Sequence, residues 1–281
     1  MSLWESILFG IIQGLTEFLP VSSSGHLALL QSLFNTDCGE SSYSFTVLLH
    51  LGTLIAVFIV YAKDIWELIR SFFSLCSKLI HGKHRMSDFT VMERMVIFVV
   101  AATLPLIPAA LVEDRIAAIS GYVWAVGIIL IINAVMLWFS DSLAKQNRLP
   151  EEVTLKNAVA VGLVQMIAVL PGLSRSGSTI TAGLFQGFKR EYAVKFSFIL
   201  SIPAIMGACV LKLPDFISET VNSGDTKQLL IYLAGALTAM IVGILAMKLL
   251  VLISKKSTFK TFSYYCAAVG IAAIVCGIVG V

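Results

Sequence analysis

The chain has 281 residues, of which 58% are hydrophobic and 13% are charged, with a formal net charge of +3 and a mean hydropathy of +0.91. A soluble domain usually carries about 25% charged residues, so this chain has too little polar surface to cover itself in water and is predicted to lie in a lipid bilayer. Its positive charge is clustered between apolar runs, a pattern that suits a membrane surface better than nucleic acid, so membrane lipids and no nucleic acid are the expected partners.

The first apolar region, residues 1–34, is interrupted near its middle by the stretch FLPVSSSGHLALL at 18–30. Proline ends or kinks a helix, so Pro20 predicts a pair of short helices here instead of one clean span. The N-terminus lacks the basic start and the small-residue cleavage site of a signal peptide, and we expect it to belong to the mature fold.

Six further runs are apolar over the roughly 20 residues that a membrane-spanning helix needs. They cover 42–62, 95–112, 121–140, 192–211, 228–247 and 261–281. A second interrupted region, 157–188, contains VLPGLSRSGSTIT at 169–181 and breaks at Pro171. The chain is therefore predicted to be an all-α membrane protein with six transmembrane helices and two re-entrant helix pairs, 1–34 and 157–188.

Lys and Arg are abundant in one set of loops and scarce in another. The loops 63–94, 141–156 and 248–260 hold six, three and four of these residues, whereas 35–41, 113–120 and 212–227 hold none, one and two. Positively charged loops stay in the cytoplasm. The first set, which includes the basic loop 63–94, is therefore predicted to be cytoplasmic, and the second set to lie outside.

This orientation makes 157–188 start and end inside and, if 1–34 is the same kind of unit, makes 1–34 start and end outside. The single integral membrane domain, 1–281, then consists of two inverted repeats, about 1–140 and about 157–281. A shift of 152 residues supports the repeat, because it places Gly10, Gln13 and the SSSG of 22–25 on Gly162, Gln165 and the SRSG of 174–177. Inverted repeats commonly place a binding site where broken helices meet, so the two breaks are predicted to form one site.

Ionisable and hydroxyl side chains are concentrated at these two breaks, and charged groups within a membrane are costly and mark functional sites. The candidates are Gln13, Glu17, Ser22, Ser23, Ser24 and His26 at the first break, and Ser174, Arg175, Ser176, Ser178 and Thr179 at the second. An arginine among serines at a helix start suits a phosphate group. Hydroxyls beside a histidine suit nucleophilic or acid–base chemistry. The pattern predicts phosphoryl chemistry on a substrate that lives in the bilayer.

Glu17 has three roles open to it: it could orient His26, take up a proton, or bind a divalent cation together with Gln13, which lies on the same helix face. Two other ionisable residues are expected to be structural. Lys195, near the inner end of its span, is expected to extend its ammonium group to the membrane surface. His50, in an apolar stripe, is expected to pack between helices.

The stretches QGLTEFLPVSSSGH at 13–26 and LPGLSRSGST at 170–179 closely resemble the two signature motifs of the bacterial undecaprenyl pyrophosphate phosphatases, the bacitracin-resistance type of integral membrane phosphatase. The resemblance covers the whole chain in length, order of spans and loop placement. It implies removal of the terminal phosphate from undecaprenyl pyrophosphate, a prenyl pyrophosphate lipid, which regenerates the carrier lipid for cell-wall polymers. It also implies a divalent cation (Mg²⁺ or Ca²⁺) and an active site toward the outer, periplasmic side of the bacterial cytoplasmic membrane.

Carried over to this sequence, the resemblance implies a set of site residues. The catalytic residues are Glu17, Ser23, Ser24, His26 and Arg175, the phosphate-binding residues are Ser22, Ser174, Arg175, Ser176 and Thr179, and the metal-binding residues are Glu17 and Gln13. Position 13 departs from the members that have glutamate there. An amide cannot act as a base and is a weaker metal ligand, so Gln13 is expected to position a water or a hydroxyl group.

Three questions stay open at the level of the sequence. The nucleophile is either His26 or one of Ser23 and Ser24, with Arg175 neutralising charge in the transition state. A transporter or flippase of a phosphorylated prenyl lipid would also use inverted repeats with broken helices, although a transporter has no need of a histidine beside three serines. The oligomeric state is the third question, with a homodimer as one candidate.

Overall fold

The computed structural model describes residues 1–34, 40–82, 85–143, 148–217, 225–256 and 258–279. Within these ranges the chain forms helices, and an isolated bridge is its only extended pairing. The helices are α1 (Leu3–Phe18), α2 (Ser23–Leu33), α3 (Glu40–Val60), α4 (Ala62–Ile80), α5 (Val91–Thr103), α6 (Leu106–Ala110), α7 (Glu113–Ala117), α8 (Val123–Leu143), α9 (Leu155–Ile167), α10 (Arg175–Phe185), α11 (Arg190–Phe216), α12 (Thr226–Lys256) and α13 (Lys260–Val279).

Several of these helices are long and apolar enough to cross a membrane. In the described ranges they are Val91–Ala110 (α5 with α6), Val123–Ser142, Arg190–Pro214, Thr226–Lys255 and Lys260–Val279, and the bent pair of α3 and α4 makes a sixth if it is taken as one span. The prediction of an all-α membrane protein is therefore confirmed, with five to six candidate spans.

Both interrupted regions fold as a helix, a break and a second helix. α1 ends at Phe18 and α2 begins at Ser23, on either side of Pro20. α9 ends at Ile167 and α10 begins at Arg175. The residue before Pro20 is extended, with φ −66° and ψ 145°, as expected from the steric clash between a proline ring and a preceding helical residue.

A serine caps the second helix of each pair. Ser22 Oγ accepts a hydrogen bond from the Gly25 N–H (3.2 Å) at the start of α2, and Ser174 Oγ accepts one from the Gly177 N–H (3.1 Å) at the start of α10. Each cap satisfies one of the free N–H groups of a first turn. Ser22 also holds a left-handed backbone, with φ 72°, a strained conformation that clusters at functional sites.

Much of the predicted basic loop 63–94 is helical. α4 occupies its first part and leaves α3 at an angle of 83°, and α5 begins at Val91. The positive-inside rule counts only the Lys and Arg residues of this segment, so it does not indicate a helix. The apolar residues of α4 recur every three or four positions, which is the period of an amphipathic helix.

The long helices pack in pairs. α1 lies along α12, α9 along α5, α8 along α13, and α3 along both α11 and α12. The first two pairs approach closely at glycines, since a Cβ on Gly10 would lie 2.4 Å from the Gly235 carbonyl oxygen and one on Gly162 would lie 2.5 Å from that of Ala102. Small residues allow helix backbones to meet in lipid, where apolar burial gives no driving force.

Ion pairs connect helices that are distant in sequence. Arg190 on α11 pairs with Asp141 on α8, whose Oδ2 also accepts the Phe259 N–H (2.6 Å) at the start of α13. Lys195 is predicted to extend to the membrane surface. Its ammonium group lies 2.5 Å from a carboxylate oxygen of Asp64 on α4. About a third of the Lys195 side chain is exposed, so the ion pair holds it near the surface.

Candidate active site

The two breaks lie against each other. Asn133 on α8 joins them, because its Nδ2 donates to the Pro20 carbonyl oxygen (3.1 Å) and its Oδ1 accepts from the Ser174 N–H (3.2 Å). Ser176 Oγ on α10 donates to the Leu19 carbonyl oxygen in the first break (3.2 Å). The prediction that the two breaks meet at one place agrees with these contacts.

Glu17 is the centre of the polar cluster at this place. Its carboxylate is buried, and its Oε1 pairs with the Arg175 guanidinium. Its Oε2 accepts hydrogen bonds from Ser23 Oγ (2.7 Å) and Gln13 Nε2 (3.0 Å), and His50 Nε2 lies 3.8 Å from the same oxygen. The arrangement links a hydroxyl group, a carboxylate and a guanidinium in one chain of contacts.

Arg175, the first residue of α10, has one nitrogen bound and one unsatisfied. Its Nη2 contacts Glu17, whereas its Nη1 is buried with no hydrogen-bond partner among the described residues. A buried donor without a partner is costly. Such a donor at a helix start therefore indicates a place for an anionic ligand.

A cavity of about 770 Å³ opens from this cluster. Its polar wall contains Thr16, Glu17, Ser23, Ser24, His50, Gln165, Ser174 and Arg175. Most of the remaining wall is apolar and comes from α5, α6 and α11, with Leu106, Ile107, Ala110, Pro203, Ile205 and Leu211 among its residues. The N-terminal ends of α2 and α10 both reach the cavity, and helix N-termini favour negative charge. The cavity suits a molecule with an anionic head and an apolar tail.

The structure brings five of the predicted site residues to the cavity wall and uses others elsewhere. Glu17, Ser23, Ser24, Ser174 and Arg175 line the cavity.

Ser22, Ser176 and Thr179 are predicted to bind phosphate, but their hydroxyl groups form hydrogen bonds within the protein. Ser22 caps α2 and Ser176 bonds the first break. Thr179 Oγ1 donates to the Arg175 carbonyl oxygen (2.9 Å) and lies 2.7 Å from Ser197 Oγ. Hydroxyl groups in helices commonly bond backbone carbonyls one turn earlier, which accounts for Thr179.

His26 contacts a different part of the protein from Ser23. Its Nδ1 bonds the Ser22 carbonyl oxygen (2.7 Å) and its Nε2 bonds the Tyr265 hydroxyl on α13 (2.8 Å). The two rings stack with their centroids 5.6 Å apart. His26 is not among the residues that line the cavity, so the contact between His26 and a serine hydroxyl that the sequence suggests is replaced by a contact between Ser23 and Glu17.

Three residues of the site escape the sequence argument. His50, expected to pack, faces Glu17 and the cavity. Asn133 and Tyr265 hold the first break in place. Two of them have a signal in the sequence: His50 is the only histidine in the run 42–62 and Asn133 the only amide in the run 121–140. Isolated polar groups in membrane helices usually bond across helices.

Glu17 and Gln13, which are predicted to bind a divalent cation, contact each other and the Arg175 guanidinium in a compact arrangement. Gln13 turns its amide nitrogen toward Glu17, and its Oε1 has no hydrogen-bond partner in the described part of the chain. The Arg175 guanidinium already neutralises the carboxylate, and a metal ion there would add a second positive charge beside it. The described residues also contain no group of three His, Cys, Asp or Glu side chains that could hold a metal ion.

The fold is that of an all-α membrane protein, and its site has a buried carboxylate, a guanidinium and two helix N-termini at one side of an apolar cavity, which suits a lipid with an anionic head group. The family model described as "Bacitracin resistance protein BacA" matches residues 6–272. The chain belongs to that family.

Curated relatives are similar over nearly the full length of the chain. The undecaprenyl-diphosphatase of Alkaliphilus metalliredigens is 40% identical over 273 residues, which cover 96% of this chain and 97% of the relative. The undecaprenyl-diphosphatase of Methanosphaera stadtmanae is 35% identical over 287 residues, which cover 99% of both chains. That of Methanobrevibacter smithii is 40% identical over 274 residues, which cover 96% of both chains.

Proposed function

We propose that this chain removes the terminal phosphate of undecaprenyl pyrophosphate, which yields undecaprenyl phosphate and inorganic phosphate and recycles the carrier lipid for cell-wall synthesis. The family and the full-length relatives named undecaprenyl-diphosphatase support this reaction. The observation that carries it is the contact of Ser23 Oγ with Glu17 at 2.7 Å, in a cavity that also contains Arg175.

Ser23 is the nucleophile in this proposal. A nucleophile within hydrogen-bond reach of a base that a third group orients is the usual geometry of covalent catalysis, and Ser23, Glu17 and Arg175 have that geometry. Ser23 Oγ attacks the terminal phosphorus and its proton passes to Glu17. The bond between that phosphorus and the bridging oxygen breaks, and undecaprenyl phosphate leaves with the electron pair.

The second step frees the enzyme. Water replaces the serine oxygen on phosphorus, Glu17 returns the proton to Ser23 Oγ, and inorganic phosphate is released. In both steps Arg175, through its unpartnered Nη1, and the N-terminus of α10 stabilise the negative charge on the phosphoryl oxygens, which is the dominant contribution to phosphoryl transfer. The apolar wall from α6 and α11 binds the prenyl chain.

Two alternatives carry less weight. Phosphoryl transfer to His26 stays a prediction, and the engagement of both His26 nitrogens by Ser22 and Tyr265 does not support it. A transporter or flippase is not favoured, because carrying a lipid does not require a serine hydroxyl held on a carboxylate. The divalent cation that the sequence resemblance implies stays a prediction as well, and the steps above do not depend on it.

The inverted repeat and the re-entrant pairs 1–34 and 157–188 are part of the proposal. The shift of 152 residues relates Gly10 to Gly162, and both are places where the first helix of a pair meets another helix, α12 in one case and α5 in the other. The same shift relates the caps Ser22 and Ser174. Equivalent residues with equivalent contacts support two repeats, about 1–140 and about 157–281.

We place the cavity toward the outer side of the cytoplasmic membrane. Its wall reaches Glu113 at the start of α7 and Leu211 near the end of α11, both next to the loops that are poor in Lys and Arg. A separate cavity is lined by Lys189, Arg190 and Lys255, which belong to the basic ends of their helices. The positive-inside rule gives these two ends opposite sides of the membrane.

The first experiment compares Ser23→Ala with Ser24→Ala. Both serines line the cavity, but Ser23 is the one that bonds Glu17. We expect Ser23→Ala to lower phosphate release from undecaprenyl pyrophosphate by about 10²–10⁴-fold, and Ser24→Ala to lower it much less. The measurement uses purified, folded protein in detergent. Full activity of Ser23→Ala would exclude Ser23 as nucleophile, and no release from the wild type would exclude the reaction itself.

A further inference from the structure

The helix α4 is not a candidate membrane span by itself, because it qualifies only together with α3. α3 is apolar and leads into α4 through a bend of 83° at Tyr61. Membrane-spanning helices are tilted by about 20° on average from the bilayer normal. If α3 crosses the bilayer, α4 therefore lies close to the plane of the membrane, on the side of the basic segment 63–94.

One face of α4 is apolar and exposed. Trp66 (57% exposed), Ile69 (44%), Phe73 (66%) and Ile80 (82%) follow each other at spacings of three, four and seven residues, which places them on one stripe of the helix. A different face, which includes Leu75, is buried against the rest of the protein. The exposed stripe is thus additional to the face that packs on the bundle.

The apolar surface of this stripe continues onto α3. Ile55 and Ile59, in the last turns of α3, are also exposed large apolar residues. If α3 crosses the bilayer, lipid surrounds the surface that adjoins the stripe. This continuity favours lipid over a separate protein as the occupant of the stripe.

Cations accompany the stripe. Lys63 and Arg70 are exposed and seven residues apart, and the Arg70 guanidinium lies over the Trp66 ring, 5.2 Å from its centroid. Of the other charges on α4, Asp64 pairs with Lys195 and Lys78 pairs with Glu93. Glu67 is the remaining carboxylate. Next to an apolar stripe, Lys and Arg reach the phosphate groups of lipids while their stems lie on apolar surface.

We infer that α4 is an interfacial lipid-binding helix: its stripe inserts between acyl chains at their boundary with the head groups, and Lys63 and Arg70 bind the phosphate groups of anionic lipids. Interfacial helices bury their apolar face about 5–10 Å into this boundary. Lys and Arg next to a membrane segment are attracted to anionic lipid surfaces. This inference is independent of the proposed reaction, because α4 contributes no residue to the wall of the active-site cavity.

Lipid contact can be measured at Trp66 itself. A single-tryptophan protein with Trp4, Trp124 and Trp138 changed to phenylalanine would be reconstituted into vesicles whose lipids carry bromine near the head or near the end of the acyl chain. We expect strong quenching of Trp66 fluorescence, with a larger loss for bromine near the head group. The control in the same background is Trp66→Phe with Glu67→Trp, which moves the indole off the stripe and is expected to be quenched less.

Two results would overturn the lipid contact. One is equal quenching of the indole at positions 66 and 67. The other is efficient cross-linking between two copies of Phe73→Cys in vesicles, which would assign the stripe to a second copy of the chain.

The role of the cations has a separate test. Anionic phosphatidylglycerol in the vesicles should raise the thermal unfolding midpoint of the wild type, and the rise should be lost in the double variant Lys63→Gln, Arg70→Gln. The matched control is Lys156→Gln with Lys227→Gln, two exposed lysines outside α4, which should keep the rise. A rise that persists in the α4 variant would contradict phosphate binding by these cations.

Discussion

Arg175 and Arg190 are both largely buried arginines that pair with a carboxylate, but Arg175 is the one that lies in the cavity with Ser23. A lysine keeps the charge and loses the planar fork that can hold Glu17 and a phosphate together. We therefore expect Arg175→Lys to lower turnover by about 10²–10³-fold, as measured by phosphate release.

Arg190→Lys is the control for this prediction, because it makes the same change in an ion pair outside the site. It should keep most of the activity. If both variants lose activity to the same degree, Arg175 acts through the stability of the fold, and its assignment to the phosphate is wrong.

His50 offers a second prediction with a matched control. His50 and His81 both place Nδ1 on the carbonyl oxygen four residues earlier, at 2.8 Å and 2.6 Å, but His50 lies beside Glu17. Loss of this polar neighbour leaves the carboxylate in a more apolar wall. We expect His50→Leu to lower turnover about tenfold, which corresponds to about 1.4 kcal/mol of transition-state stabilisation, and His81→Leu to leave it unchanged. A His50→Leu enzyme with normal turnover would contradict this role.

At the residue scale, the sequence predicts which residues belong to the site, but it does not predict which partners their side chains contact. Glu17 and Arg175 stand out because charge in an apolar run is costly without a function. The choice between His26 and Ser23 depends on which partner each side chain meets, Tyr265 or Glu17. Tyr265, the partner of His26, lies 239 residues away, and no local pattern contains this information.

Close helix contacts give a prediction at the scale of elements. A Cβ on Gly10 would lie 2.4 Å from the Gly235 carbonyl oxygen, whereas one on Gly207 would meet nothing within 4 Å. Overpacking of this kind costs about 1–3 kcal/mol. We expect Gly10→Ala to lower the thermal unfolding midpoint in detergent and Gly207→Ala to leave it unchanged or raise it. Equal midpoints for the two variants would mean that α1 and α12 can move apart freely.

The breaks between helices are predictable because proline imposes them locally. The break at Pro20 lies where the sequence places it. α4 is not predictable in this way. Its segment holds several cations, and the positive-inside rule, which assigns such segments to cytoplasmic loops, does not indicate whether they are helical. The exposed stripe of Trp66, Ile69 and Phe73 can be interpreted as an interfacial surface only because the bend turns α4 away from the direction of α3.

At the scale of the whole molecule, hydropathy predicts the order of the helices and does not predict their pairing. Lipid tails and leucine side chains are equally apolar, so apolar faces do not select partners in a bilayer. Pairing depends on small residues and isolated polar groups, such as Gly162 against Ala102 and Asn133 between the breaks. These features are visible in the sequence, but their partners are not.

The orientation of the molecule in the membrane can be tested with two cysteines. Asp114 lies next to Glu113 at the cavity wall, in a loop that is poor in Lys and Arg, and Glu151 lies in a basic loop. In a background without native cysteines, Asp114→Cys should react with a membrane-impermeant maleimide on intact spheroplasts. Glu151→Cys should react only after the membrane is permeabilised.

Both positions are suited to labelling because they are exposed, and replacing Asp114 removes only a surface ion pair with Lys212, which contributes little to stability. Labelling of Asp114→Cys from outside would mean that the head group of the substrate is reached from the outer side, where a phosphate product can leave without crossing the membrane. The reverse pattern would place the cavity on the cytoplasmic side, and the proposed orientation would then be wrong although the chemistry of Ser23, Glu17 and Arg175 would stand.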